Sequence, residues 1–154
     1  MARPNLNARI PLYGVHFDPV MPPLAREMHM CQKGGRWQKA DGTMAGNGME
    51  FHFKAALKLC WPHLVFHKWT DLFIENFLTK RTVVVIGQAS SGKPAMAAFC
   101  VLMDYYLYPD ISTVICCSTT RDRLEDRGWG ELKKLHKLAA KQYPKEGTEA
   151  MVQA

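Results

Sequence analysis

The stretch Thr82-Val83-Val84-Val85-Ile86-Gly87-Gln88-Ala89-Ser90-Ser91-Gly92-Lys93-Pro94 decides how the chain is read. A β-branched apolar run passes into glycine, then small and polar residues, then Gly92-Lys93, and then residues 95–107, which can be helical. The order is strand, phosphate loop, helix. It matches the pattern G-x-x-x-x-G-K-[ST] at every specified position except the last, which is Pro94. A nucleoside triphosphate needs several convergent backbone N–H groups around its oxygens, and only small residues with glycines at the bends wrap so closely. The candidate nucleotide-binding residues are therefore Gly87, Gln88, Ala89, Ser90, Ser91, Gly92, Lys93 and Pro94, with ATP and Mg²⁺ as the implied cofactors.

Each position has a physical role in that expectation. Lys93 is a mobile charge able to reach the β- and γ-phosphates, and the following helix adds its free N–H groups and the positive end of its dipole. Pro94 has neither the hydroxyl that would ligate Mg²⁺ nor an N–H for phosphate, so metal binding is weakened or lost. It also biases Lys93 away from the α region, which predicts a reshaped loop.

Working outward, residues 113–117, Thr-Val-Ile-Cys-Cys, read as a second buried strand, apolar on both faces. With the helix over 95–107 this predicts a right-handed parallel βαβ unit. The fold class is α/β: a partial P-loop NTPase-type βαβ unit with flanking helices and an irregular N-terminal arm. Upstream, Phe53, Ala56, Leu57 and Cys60 fall at helical spacing with Pro62 as the stop, and a second helix is expected over 64–78. Its aromatic stripe reads as packing, with base stacking by Trp61, His63, His67 or Trp69 as the functional alternative.

Residues 1–47 read as an arm interrupted by Pro4, Pro11, Pro19, Pro22 and Pro23, with a short helix near Leu24 to Met30; in Arg36-Trp37-Gln38-Lys39 the tryptophan anchors the arm to the domain, with contact to nucleic acid as the alternative. His16, His29, Cys31 and His52 match no zinc spacing. Downstream, Thr119 with Asp122 resembles a capping box that opens a last helix. Leu124, Trp129, Leu132, Leu135 and Leu138 form its apolar stripe, and Lys133, Lys134, Lys137 and Lys141 form a basic margin, either a solvated face or a contact for a nucleic-acid backbone. The ATPase-like domain spans 48–143, and 144–154 reads as a frayed tail.

Composition sets the outer limits. The 154 residues are 47% hydrophobic and 22% charged, ordinary for a globular domain, and the formal charge of +6 leans towards an anionic partner, nucleic acid first. Five cysteines without a C-x-x-C pair read as reduced thiols in a cytoplasmic protein. No apolar run is long enough to span a bilayer, so no membrane partner is expected.

The order of features in 61–143 resembles the amino-terminal ATPase region of the large terminase subunits of tailed bacteriophages. The residues that carry the likeness are His67-Lys68-Trp69 and Phe73 on a helix, the run from Arg81 to Lys93, and a strand ending in Ser118-Thr119-Thr120. The resemblance implies an ATP-binding part of a DNA-packaging, DNA-translocating ATPase in a bacterial or phage-infected cytoplasm. It also implies double-stranded DNA, other terminase subunits or further copies of the chain as partners. Lys93 would serve the phosphates, and Ser118 to Thr120 would couple nucleotide to DNA.

The departures are specific. No Asp or Glu ends a second apolar strand to hold Mg²⁺ through water, and the nuclease domain of that family does not follow. Whether the chain is an NTP hydrolase is therefore open. Two strands do not make a stable open sheet, so the sequence reads as the front of a larger ATPase domain. The alternative reading is a non-catalytic remnant acting as a DNA-binding or protein-interaction module through its basic arm and last helix.

Overall fold

The computed structural model describes residues 23–88, 91–118, 120, 122 and 124–142, with the backbone alone for Asp126 and Arg127. Ala89, Ser90 and Thr119, together with residues 1–22 and the tail over 144–154, lie outside the described residues.

The core is built by helices. Helix α1 spans Pro23–Gln32, α2 Met49–Cys60, α3 Lys68–Thr79 and α4 Lys93–Leu107; a π-helical turn at Leu124–Trp129 runs into α5, Gly130–Gln142. In α2 the apolar residues recur at i, i+3, i+4 and i+7, so Phe53, Ala56, Leu57 and Cys60 share one face and all are buried. Helix α3 starts later than the apolar pattern suggests. The Thr70 hydroxyl accepts the His67 N–H at 2.7 Å and donates to the His67 carbonyl at 2.8 Å, which fixes the first turn there.

Trp61, just past the end of α2, sits at the centre of the core. Its ring meets Phe99 edge-on at 5.1 Å and stacks on Tyr106 at 6.2 Å, and its Nε1–H donates to the Leu135 carbonyl at 2.9 Å. One side chain thus ties α2, α4 and α5 together. Its complete burial removes it as a base-stacking candidate. Trp69, by contrast, remains partly exposed, and His63 and His67 are exposed.

Part of the expected arm is folded. Helix α1 lies against α2, with Leu24 and Cys31 in the core, and Gln32 Nε2 donates to the Leu107 carbonyl at 2.7 Å, fastening α1 to the end of α4. Residues 37–45 form a short antiparallel hairpin, β1 (Trp37–Gln38) with β2 (Met44–Ala45), in register Trp37↔Ala45 and Gln38↔Met44. Trp37 is 42% exposed there and anchors nothing in the core. The hairpin is fixed to the end of α1 by close backbone approach: a Cβ on Gly35 would fall 1.9 Å from the Gly48 carbonyl carbon, and one on Gly46 2.1 Å from the Gly35 oxygen. Both glycines also have positive φ, so no other residue fits either place without strain.

The expected βαβ unit is not formed among the described residues. Residues 82–86 and 113–117 belong to no sheet, and the hairpin β1–β2 is the sheet found among the described residues. The apolar side chains of the two runs face outward: Val84 is 78% exposed, Ile86 92% and Ile115 82%. The physical reason is that strand propensity needs a ladder of partner strands, and these two runs find none in the described chain. What remains of the expected unit is its helix, α4.

Candidate nucleotide-binding site

The loop enters α4 through Gly92, whose backbone is left-handed (φ +75°, ψ 9°), the conformation that the glycine of this motif is needed for. The Met96 N–H bonds the Gly92 carbonyl at 2.9 Å, so the helix is regular from its first turn. Lys93 is the first residue of α4 and Pro94 the second. The expectation that proline would push Lys93 out of the α region is therefore not met. A proline in the first turn loses only an N–H that has no partner within the helix, which is why it is tolerated here.

Lys93 turns back over the loop. Its Nζ donates to the Gly87 carbonyl at 2.8 Å, to the Gln88 carbonyl, and to the Ser91 hydroxyl at 2.9 Å, while Ser91 Oγ also donates to the Gln88 carbonyl at 3.0 Å. The structure thus brings Gly87, Gln88, Ser91, Gly92, Lys93 and Pro94 together at one helix terminus, with Ala89 and Ser90 outside the described residues. In this arrangement two carbonyl oxygens point at the ammonium. A phosphate group would need that clasp to open before it could use the same cation.

Beside the loop, between α3 and α4, lies an open groove of about 940 Å³. Lys80, Arg81 and Lys93 supply three cations to its lining, and Phe73, Phe77, Val83, Val85 and Ala97 supply apolar wall. Phe73 and Phe77 stack on each other at 6.3 Å. Lys93 is a candidate from the sequence, whereas Lys80 and Arg81 are not; the signal for them is that two cations precede the apolar run 82–86 and are carried to one end of this groove. A second, more apolar groove of about 530 Å³ lies on the other side of α4, lined by Val101, Cys116, Cys117, Ser118, Leu124 and Leu132 among others.

The donor set fits phosphate and does not fit a resident Mg²⁺. Cations, a helix N-terminus and a glycine-shaped bend are what an anionic group requires. Magnesium requires oxygen ligands, and Pro94 offers none from its side chain. No group of three His, Cys, Asp or Glu residues able to hold a metal occurs among the described residues. Asp104 also lines the groove, but it sits three turns along α4 and accepts a hydrogen bond from Ser112 at 3.1 Å.

The remaining titratable groups do other work. Cys31, Cys60 and Cys100 are free and buried, and burial raises their pKa values, that of Cys60 to about 12, so these three thiols are poor nucleophiles. His52 and Glu27 form a buried pair at 2.7 Å that links α2 to α1. Compared with protein-family models, curated proteins and solved structures, the chain matches none. No helix among the described residues is long and apolar enough to cross a membrane.

Proposed function

We propose that the chain is the nucleotide-binding part of a terminase-like, DNA-translocating P-loop ATPase. The observation that carries this reading is Lys93 at the start of α4, folded onto Gly87 and Gln88 beside a groove that also holds Lys80 and Arg81. In this reading 82–86 and 113–117 are parallel strands of a sheet that further strands complete, which accounts for apolar, β-branched runs that face solvent here.

The residues divide the task. Gly92 turns the chain into α4, the helix terminus offers its N–H groups to phosphate, and Lys93 leaves its carbonyl partners to neutralise the added charge. ATP supplies the phosphoanhydride whose hydrolysis drives motors of this kind. Pro94 leaves the metal without its usual hydroxyl ligand, so hydrolysis requires groups beyond this site.

The test is calorimetric titration of ATP, with and without Mg²⁺, into the parent chain, Lys93→Ala and Pro94→Thr. Binding by the parent that Lys93→Ala abolishes is the expected result. Binding by Pro94→Thr alone would mean an inherited site disabled by proline. Absence of binding in all three overturns the reading.

A further inference from the structure

The last helix carries a surface that the nucleotide site does not use. Trp129, Lys133, Lys137 and Lys141 recur every fourth residue, and Lys134 lies beside them. At about 100° per residue these five positions fall within about 140° of one side of the helix. Leu132, Leu135 and Ala139, on the opposite side, are buried in the core. The four lysines are exposed, and none forms an ion pair among the described residues. The single carboxylate of α5, Glu131, borders the stripe, about 60° round the helix from Lys134 and about 160° from Lys133, but forms no ion pair with either among the described residues.

The aromatic member separates this surface from an ordinary solvated face. Trp129 is 51% exposed, and Lys133 Nζ lies over its ring at 5.7 Å from the centroid. Cations about 6 Å apart, four residues at about 1.5 Å each, have a spacing suited to successive phosphates of an extended strand. An exposed indole is a platform for an unpaired base, which a duplex keeps inside its stack. We infer that the Trp129–Lys133–Lys137–Lys141 face binds single-stranded nucleic acid, with Trp129 stacked on one base and the lysines on the backbone. This surface is separate from the phosphate loop and does not depend on the nucleotide reading.

The experiment is fluorescence anisotropy of labelled oligothymidine, oligouridine and a DNA duplex against the parent chain, Trp129→Ala, Trp129→Phe, Lys137→Gln/Lys141→Gln and Lys93→Ala. With up to four phosphates neutralised, log affinity for the single strand should fall with log salt at a slope of about −3, or about 50-fold between 50 and 200 mM. The double lysine variant should lower that slope by about 1.4. Trp129→Ala should weaken single-strand binding by about tenfold or more, and Trp129→Phe should restore most of it. Lys93→Ala should change nothing, which separates this result from failure of the ATP site. Tightest binding to the duplex, indifference to Trp129→Ala, or an unaltered slope in the double lysine variant each overturns the inference. Trp129, at 51%, and the two lysines are exposed and Lys93 is partly so, and none belongs to the core, so the variants should keep the fold.

Discussion

The Lys93 ammonium lies 2.8 Å from the carbonyl oxygen of Gly87, six residues before it, so the loop is closed on its own cation. This clasp also takes in Gln88 and Ser91 and sits at the surface. Lys93→Met should therefore speed amide exchange over residues 87–92 while leaving global stability within about 0.5 kcal/mol of the parent. Exchange rates unchanged at these amides would show that the clasp does not hold the loop.

Trp61 gives the opposite case, a buried contact on which three helices depend. Trp61→Ala should cost about 3–5 kcal/mol, since it empties the space between Phe99, Tyr106 and α5. Trp61→Phe keeps an aromatic ring but loses the hydrogen bond to Leu135, and should cost about 1–3 kcal/mol. Urea unfolding of the two variants checks both the order and the size.

These two residues mark what was legible in the sequence. The helical spacing of Phe53, Ala56, Leu57 and Cys60 is a local property, and α2 follows it to the residue at its C-terminus. The glycines and lysine of the loop are equally local, and they meet at the start of α4 as their pattern requires. The hairpin also had a signal, Asp41-Gly42 between Trp37-Gln38 and Met44-Ala45, which was hidden among neighbouring glycines. Pairings such as Trp61 with Leu135 or Glu27 with His52 join positions far apart in sequence, and no periodicity encodes them. The runs 82–86 and 113–117 enter no sheet among the described residues for a related reason. Their residue types favour strand, but a strand exists only with a neighbour.

The glycines that hold the hairpin to α1 offer a further check. Gly35→Ala forces a Cβ into the Gly48 backbone at 1.9 Å and holds alanine at φ +71°. The left-handed backbone alone costs about 1–2 kcal/mol, and the collision requires the hairpin to move away. The expected outcome is a lowered urea midpoint together with faster amide exchange at Gly48. Gly34→Ala meets no atom within 4 Å, so it should show the backbone cost without the displacement.

His29 sets a pH dependence. Burial, reinforced by the charge of Lys33, lowers its pKa below the ordinary 6.5, so the folded chain holds this ring neutral more strongly than the unfolded chain does. As pH falls through 6.5 the unfolded state takes up the proton first; the stabilisation is complete above that value and is lost progressively below it. Urea midpoints at about pH 7.5 and about pH 5.5 should therefore differ more for the parent than for His29→Gln, which has no ring to titrate. Equal pH dependence in the two would mean that His29 does not set the acid sensitivity.

The exposed β-branched runs should govern solution behaviour. Val84, Ile86 and Ile115 face solvent from segments whose backbones enter no ladder, and such segments offer both apolar side chains and hydrogen-bonding groups to another chain. The chain should associate as its concentration rises, with growth in β signal by circular dichroism and in scattering by light. A lysine at each of the two most exposed isoleucines, Ile86→Lys with Ile115→Lys, should suppress that association, because charges on an unpaired edge oppose strand addition. The helical core makes no use of either side chain, so the unfolding midpoint should shift by no more than about 0.5 kcal/mol equivalent. Association undiminished in the double variant would move the contact to another apolar surface, with the groove beside Cys116 and Leu132 the next to substitute.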